Sequence, residues 1–144
     1  MGADSAKMPS RIDFERMLHK QLETPLEFKN GLATIWFING KRVGHCNVNQ
    51  IEYGKQAFMH LHLWNPELRT KGNGRQLLKK SIRLFFDKLK LDKLYCESYA
   101  FNLAPNRILP KDGFTFVKKY RCTPGSINFE QEVNRWVMKK QVSL

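Results

Sequence analysis

No long uncharged apolar run occurs in this sequence: the mean hydropathy is −0.51 and charged residues make up 26% of 144 positions. A membrane-spanning helix, which needs roughly 20 apolar residues, is therefore not expected. The opening stretch, MGADSAKMPSR, lacks the apolar core of a secretory signal. It also misses the myristoylation pattern, because Ala6 stands where serine or threonine is needed. Cysteine is scarce, with only Cys46, Cys96 and Cys122, an odd number and no CxxC pair. Free thiols in a reducing cytoplasm are expected rather than a disulfide framework. His60, His62 and Cys96 have no paired ligands at metal-binding intervals, so no metal site is expected. Repeats, low-complexity tracts and interdomain linkers are missing too. A chain of this length then reads as one domain able to bury a core without staples. Residues 1–12 are expected to be a disordered lead or an expression remnant, with Met8 as the natural start, and 13–144 a single domain.

Acidic residues are also in short supply: 13 against 25 lysines and arginines, a net charge of +12. Such a balance implies an anionic partner or a solvated basic surface. Nucleic acid and a cofactor carrying several phosphates are the two candidates. Charge alone does not choose between them.

What is present is a regular alternation of elements. Phe14, Met17, Leu18 and Leu22 recur at helical spacing over 13–23, with Asp13 as the cap. Residues 32–38 and 42–51 read as strands joined by Asn39-Gly40, a strong hairpin turn. A third strand, 57–64, completes an antiparallel meander. A polar loop leads to a helix over 74–90 whose stripe is Leu78, Ile82, Phe85 and Leu89. A strand at 93–100, a short helix at 104–112 and strands at 114–121 and 134–140 follow. This order predicts an α/β fold: a mixed, largely antiparallel sheet with helices on both faces.

Between the third strand and the strong helix lies Arg69-Thr70-Lys71-Gly72-Asn73-Gly74. Two glycines let the backbone curl with its N–H groups pointing one way. The helix N-terminus adds partial positive charge, and Arg69, Lys71 and Arg75 add full charges. Together these would cradle a pyrophosphate; the bland alternative is an ordinary basic loop. No Lys-Ser/Thr follows the second glycine, so the loop is not a Walker loop. The third glycine of a dinucleotide fingerprint is missing as well.

Two motifs carry a family resemblance. Pro66-Glu67 and Arg69 through Gly74 match the R/Q-x-x-G-x-G/A pattern of the GNAT acetyltransferase superfamily at this junction, and Asn102 leads through a short helix to Gly113-Phe114 at that family's spacing. The chain resembles GNAT proteins from about residue 32 to 140. APNRILPKDGF and Asn134-Arg135-Trp136 resemble the branch containing ribosomal-protein alanine N-acetyltransferases. The resemblance implies an N-acetyltransferase that uses acetyl-CoA as co-substrate and attacks its thioester directly with a primary amine. It implies that Leu63 and Trp64 supply backbone groups to the pantetheine arm, with an N–H near Trp64 for the oxyanion. It also implies that Gly72, Asn73, Gly74, Arg69, Lys71 and Arg75 hold the phosphates, and that Asn102 lies near the arm. Two departures stand out. The tyrosine that protonates the departing thiolate in many relatives is Leu109 here, and the segment before residue 32 is short.

For the base, strand alternation puts Phe58, His60, His62 and Trp64 on one face of the third strand, and Met59, Leu61 and Leu63 on the other. The apolar set should face the core, leaving His60 and His62 for the cleft. Histidine titrates near neutrality and suits base work; the plain alternative is a hydrogen-bonded structural pair. Glu97 on the next strand is a second candidate, or else one half of a salt bridge. The partners implied are acetyl-CoA and an amine, either a small molecule or a protein N-terminus. Nucleic acid is disfavoured, a membrane is excluded, a homodimer stays open, and the location expected is cytoplasmic. The competing function is a catalytically inactive coenzyme A-binding module that binds RNA or a ribosomal partner.

Overall fold

The structure, a computed structural model, describes residues 3–64, 67 and 72–142. Helix α1 spans Arg11–Glu23; strands β1 (Gly31–Ile38), β2 (Lys41–Glu52) and β3 (Gln56–Leu63) follow; then come α2 (Asn73–Leu89), β4 (Lys93–Tyr99), α3 (Leu103–Lys111), β5 (Thr115–Cys122) and β6 (Gln131–Lys139). The six strands form one sheet in the order β1-β2-β3-β4-β6-β5. Every pairing is antiparallel except β3 with β4, which the crossover through α2 makes parallel. The mixed, largely antiparallel α/β architecture is the one the element order predicts.

Local chemistry explains the turns. Asn39 and Gly40 both take positive φ, 49° and 73°, as a two-residue hairpin turn requires. Helix α1 begins two residues before the expected cap: Ser10 accepts from the Asp13 amide at 3.2 Å and donates to the Asp13 carboxylate at 2.7 Å. Strand β6 starts three residues earlier than expected, because Gln131 already pairs with Cys122 of β5.

The core lies between α2 and the sheet. Leu78, Ile82, Phe85 and Leu89 of α2 are buried, with Phe85 and Leu89 at 0% exposure. Each fully buried side chain of this size stabilises by about 2–3 kcal/mol relative to exposure. Opposite them are Cys46 and Val48 of β2, Met59 of β3 and Leu94 and Cys96 of β4. Ser81, on the same helix face, accepts from the Trp36 indole at 2.9 Å and shares a hydrogen bond with Thr34 at 2.9 Å, so the one polar residue in this stripe is satisfied. Helix α1 differs. Its apolar stripe is regular, yet no residue of it is buried, and Leu22 is 79% exposed. Periodicity specified the helix; burial would need a partner surface.

One glycine fixes how closely β2 and β3 approach beneath the site. A Cβ on Gly44 would stand 2.4 Å from the His62 carbonyl oxygen and 3.1 Å from the Leu63 Cα, both backbone atoms that cannot swing aside. Gly44→Val is therefore expected to cost about 3 kcal/mol through overpacking, measured as the shift of a urea unfolding midpoint at constant m-value. An unchanged midpoint would mean that β2 and β3 can separate freely there.

Candidate functional site

Strands β3 and β4 pair only over Gln56–Met59 and Lys93–Cys96. Beyond Met59 and Cys96 the partnership stops, while β3 stays paired to β2 through Leu63, and β4 to β6 through Tyr99. The sheet is thus open between His60–Leu63 on one side and Glu97–Tyr99 on the other. An extended ligand can enter such an opening and satisfy strand edges on both flanks. The Trp64 N–H donates to the Val43 carbonyl at 2.9 Å, within the β2–β3 hairpin. Strand alternation then turns the backbone groups of Leu63, one residue earlier, toward the opening. Of the two residues expected to serve there, Leu63 has its main chain aimed correctly; Trp64 borders the opening with its side chain, half exposed.

At the top of the opening α2 begins. Gly72 sits at its N-cap with φ 70°, a left-handed conformation that favours glycine, and among the described residues no side chain caps the helix. No acidic residue occupies the first turn. A Cβ on Gly74 would meet only the Leu63 Cδ2, at 4.0 Å. Uncapped amides, no nearby carboxylate in that turn and open space over Gly74 suit an anion at the helix terminus, so these residues fit a coenzyme A pyrophosphate. Asn73 is half-buried in the same turn. Arg69 and Lys71 lie outside the described residues. Arg75 is engaged elsewhere: its Nε donates to Asp112 at 2.7 Å and its Nη2 to the Lys111 carbonyl at 3.2 Å, pinning α2 to the end of α3.

Asn102 is exposed at the N-cap of α3, and its carbonyl accepts from Asn106 Nδ2 at 2.8 Å. Asn106 is the hub. Its Oδ1 is shared by the Ser98 hydroxyl (2.6 Å), Asn134 (3.0 Å) and the Trp136 indole (3.1 Å), and its amide also donates to Tyr99 at 3.0 Å. This network ties α3 to β4 and β6 below the cleft. Leu109 is buried in the core at 1% exposure, so the position occupied by tyrosine in many relatives supplies packing here.

His60 and His62 share the sheet face that carries Phe58 and Trp64, while Met59 is fully buried on the other. His60 Nε2 hydrogen-bonds Asn49 at 3.1 Å; burial lowers its pKa, the His62 charge lowers it further, and Glu97 opposes both. Burial also lowers His62. Both shifts favour the neutral ring, the form a base needs. His45, which the sequence reading passed over, lies opposite His62 on β2, the rings stacked with centroids 4.8 Å apart.

Glu97 is buried across the opening and held by two residues. Arg135 donates to its Oε1 through Nε at 2.8 Å and Nη2 at 2.6 Å, and the Tyr120 hydroxyl donates to the same oxygen. The Arg135 guanidinium also lies over the rings of Phe58, Tyr95 and Tyr120. Its carboxylate is thus charge-compensated. Neither Arg135 nor Tyr120 could be assigned to Glu97 from the sequence, since only strand register brings the three together. Burial pushes the Cys96 thiol up to about 12, and the neighbouring Glu97 charge adds to this, so it is no nucleophile at neutral pH. Among the described residues no cluster of histidine, cysteine or carboxylate side chains could hold a metal, and no helix is long and apolar enough to cross a membrane.

The fold is shared with solved acetyltransferases. The spermidine/spermine N-acetyltransferase SpeG of Vibrio cholerae superposes with a TM-score of 0.72 at 20% identity, over 90% of this chain and 75% of that one. The aminoglycoside acetyltransferase AAC(6')-Ib, solved with coenzyme A, gives 0.64 at 18% identity, over 77% of this chain and 67% of that one. At these identities the likeness is one of fold. No curated protein sequence matches the chain. The family model for the acetyltransferase (GNAT) family matches residues 5–114, more than half of the sequence. The chain therefore belongs to the GNAT acetyltransferase family, enzymes whose co-substrate is acetyl-CoA.

Proposed function

We propose that this protein acetylates a primary amine by direct attack on the thioester of acetyl-CoA, with His62 as the general base. The observation that carries the reading is the opening of the sheet after Met59 and Cys96, flanked by the glycine-lined N-terminus of α2 above and the His60 and His62 imidazoles beside it. Acetyl-CoA supplies the activated acetyl group. The glycine-lined turn at Gly72–Gly74 receives its phosphates, with Arg69 and Lys71 as the charges nearest in sequence. The Leu63 N–H donates to the carbonyl oxygen as charge develops on it. His62 takes a proton from the substrate ammonium, freeing the amine lone pair that attacks the thioester carbon as the C–S bond breaks, and His60, held by Asn49, orients the cleft wall behind it. Glu97 acts through Arg135 and Tyr120 to keep that wall rigid rather than as the base, because its carboxylate is already compensated. With leucine at 109, the thiolate takes its proton from solvent.

The acceptor is a small amine or a protein N-terminus. The likeness of 104–114 and 134–136 to the ribosomal-protein alanine branch favours the N-terminus. The structural neighbour SpeG is named for spermidine and spermine, but a chain carrying +12 repels a polycation. An acceptor screen that follows free thiol released from acetyl-CoA tests the reading. Thiol release with one class of amine, scaling with enzyme, is expected. If acetyl-CoA raises the melting temperature while no amine is consumed, the domain binds without transferring. The module that binds RNA or a ribosomal partner then becomes the better account.

A further inference from the structure

His45 lies on β2 directly opposite His62, so the two side chains share one face of the sheet. Its Nδ1 accepts a hydrogen bond from the Trp64 indole Nε1 at 2.9 Å, and the two rings lie 5.6 Å apart at 51°. Trp64 directly follows β3 and is 50% exposed, so packing alone holds it weakly. The indole is a donor only, and an imidazole nitrogen accepts only while it carries no proton. The contact therefore requires neutral His45, with its single proton on Nε2. The groups facing His45 are His62 and Trp64 on β3 and Ile35, its register partner on β1. Desolvation disfavours the charged ring, and the one other ionisable group acting on it is His62.

We propose that His45 is a positioning residue: it clamps the Trp64 indole at the cleft mouth and backs the His62 ring, and its protonation releases Trp64. Two imidazoles stacked at 4.8 Å also resist charging together, so the clamp and the neighbouring ring are coupled. The consequence for rate rests on the reading of His62 as base; the hold on Trp64 does not. Acid would then act twice, once on the proton acceptor and once on the wall beside the thioester.

The test separates the two. The Trp64 indole resonance in a 1H–15N spectrum, assigned by its loss in Trp64→Phe, is followed from pH 8 to pH 5. It should move as the pH falls, with a midpoint on the acid side of the ordinary histidine value of 6.5, and should still move in His62→Ala. In His45→Asn, whose amide oxygen takes the place of Nδ1 and does not titrate, it should stay near the high-pH position. In His45→Phe, which keeps a ring but no lone pair, it should sit at a free-indole position at every pH. With an identified acceptor, His45→Phe should lower turnover about threefold to tenfold, the effect of one lost hydrogen bond, and His45→Asn should restore it. The acid limb of log turnover should be steeper than one over the range in which His45 titrates in the parent and stay at one in His45→Asn. A Trp64 resonance that does not move down to pH 5, or that moves equally in His45→Asn, overturns the proposal. If it titrates as expected while His62→Ala keeps full turnover, the base assignment fails and the clamp stands.

Discussion

Replacing His62 with alanine is expected to lower turnover by about a hundredfold to ten-thousandfold, the usual scale for removing a general base. Acetyl-CoA affinity should barely change, because the phosphate-binding turn lies at the start of α2, past the end of β3. The parent's activity should rise with pH through an ionisation on the acid side of 6.5, since burial lowers the His62 pKa from that value. The direction follows from the sign of the effect: burial penalises the charged ring, so the neutral base persists to lower pH than in a free histidine. Glu97→Gln is the control. It retains one hydrogen-bond acceptor for Arg135 but removes the compensating charge from a buried site. We expect a stability loss without loss of the pH dependence. If Glu97→Gln abolishes the pH dependence and His62→Ala leaves turnover intact, the carboxylate is the base and the histidines are structural.

Gly74→Val should abolish acetyl-CoA binding while sparing the fold. A Cβ at this position meets only the Leu63 Cδ2 at 4.0 Å, so the protein has room for it. In a helix, valine is no worse than glycine, and the apo melting temperature should hold or rise slightly. Acetyl-CoA at about one hundred times its dissociation constant stabilises the parent by about 2.7 kcal/mol, or roughly 5–10 °C for a chain of this size. That shift should vanish in the variant, because the valine side chain occupies the space the pyrophosphate must approach. Gly72→Val is a poorer test: its φ of 70° strains any side chain, mixing a folding defect with a binding one. A Gly74→Val protein that keeps the full ligand-induced shift would show that the phosphates bind elsewhere.

Much of this protein was legible in one dimension because its signals are local. Asn39-Gly40 selects a hairpin turn through its own backbone preferences. The 3.6-residue stripe of α2 and the two-residue alternation of β3 each sort side chains without reference to the rest of the chain. Gly72 and Gly74 could be read because a helix start that lacks side chains and acidic residues is a chemical statement in itself. The branch resemblance at Asn106, Asn134 and Trp136 turns out to sit on a hydrogen-bonded hub that joins α3 to the sheet. Those residues hold the scaffold of the cleft together.

Sequence by itself determined the elements, their order, the family motif and the face that carries His60 and His62. It did so because propensity, turn chemistry and periodicity act over a few neighbouring residues. Only the tertiary structure decided that Arg135 and Tyr120 compensate Glu97, that Arg75 anchors to Asp112, that the Trp64 amide is spent on Val43 and that His45 backs His62. Each of those pairings joins residues 17 to 38 positions apart through strand register or helix docking. Side-chain partners at such separations are set by where the sheet aligns its strands. Where two strands part, as β3 and β4 do beyond Met59 and Cys96, is likewise a property of the packed sheet, because every residue on either side of the break is still a good strand residue.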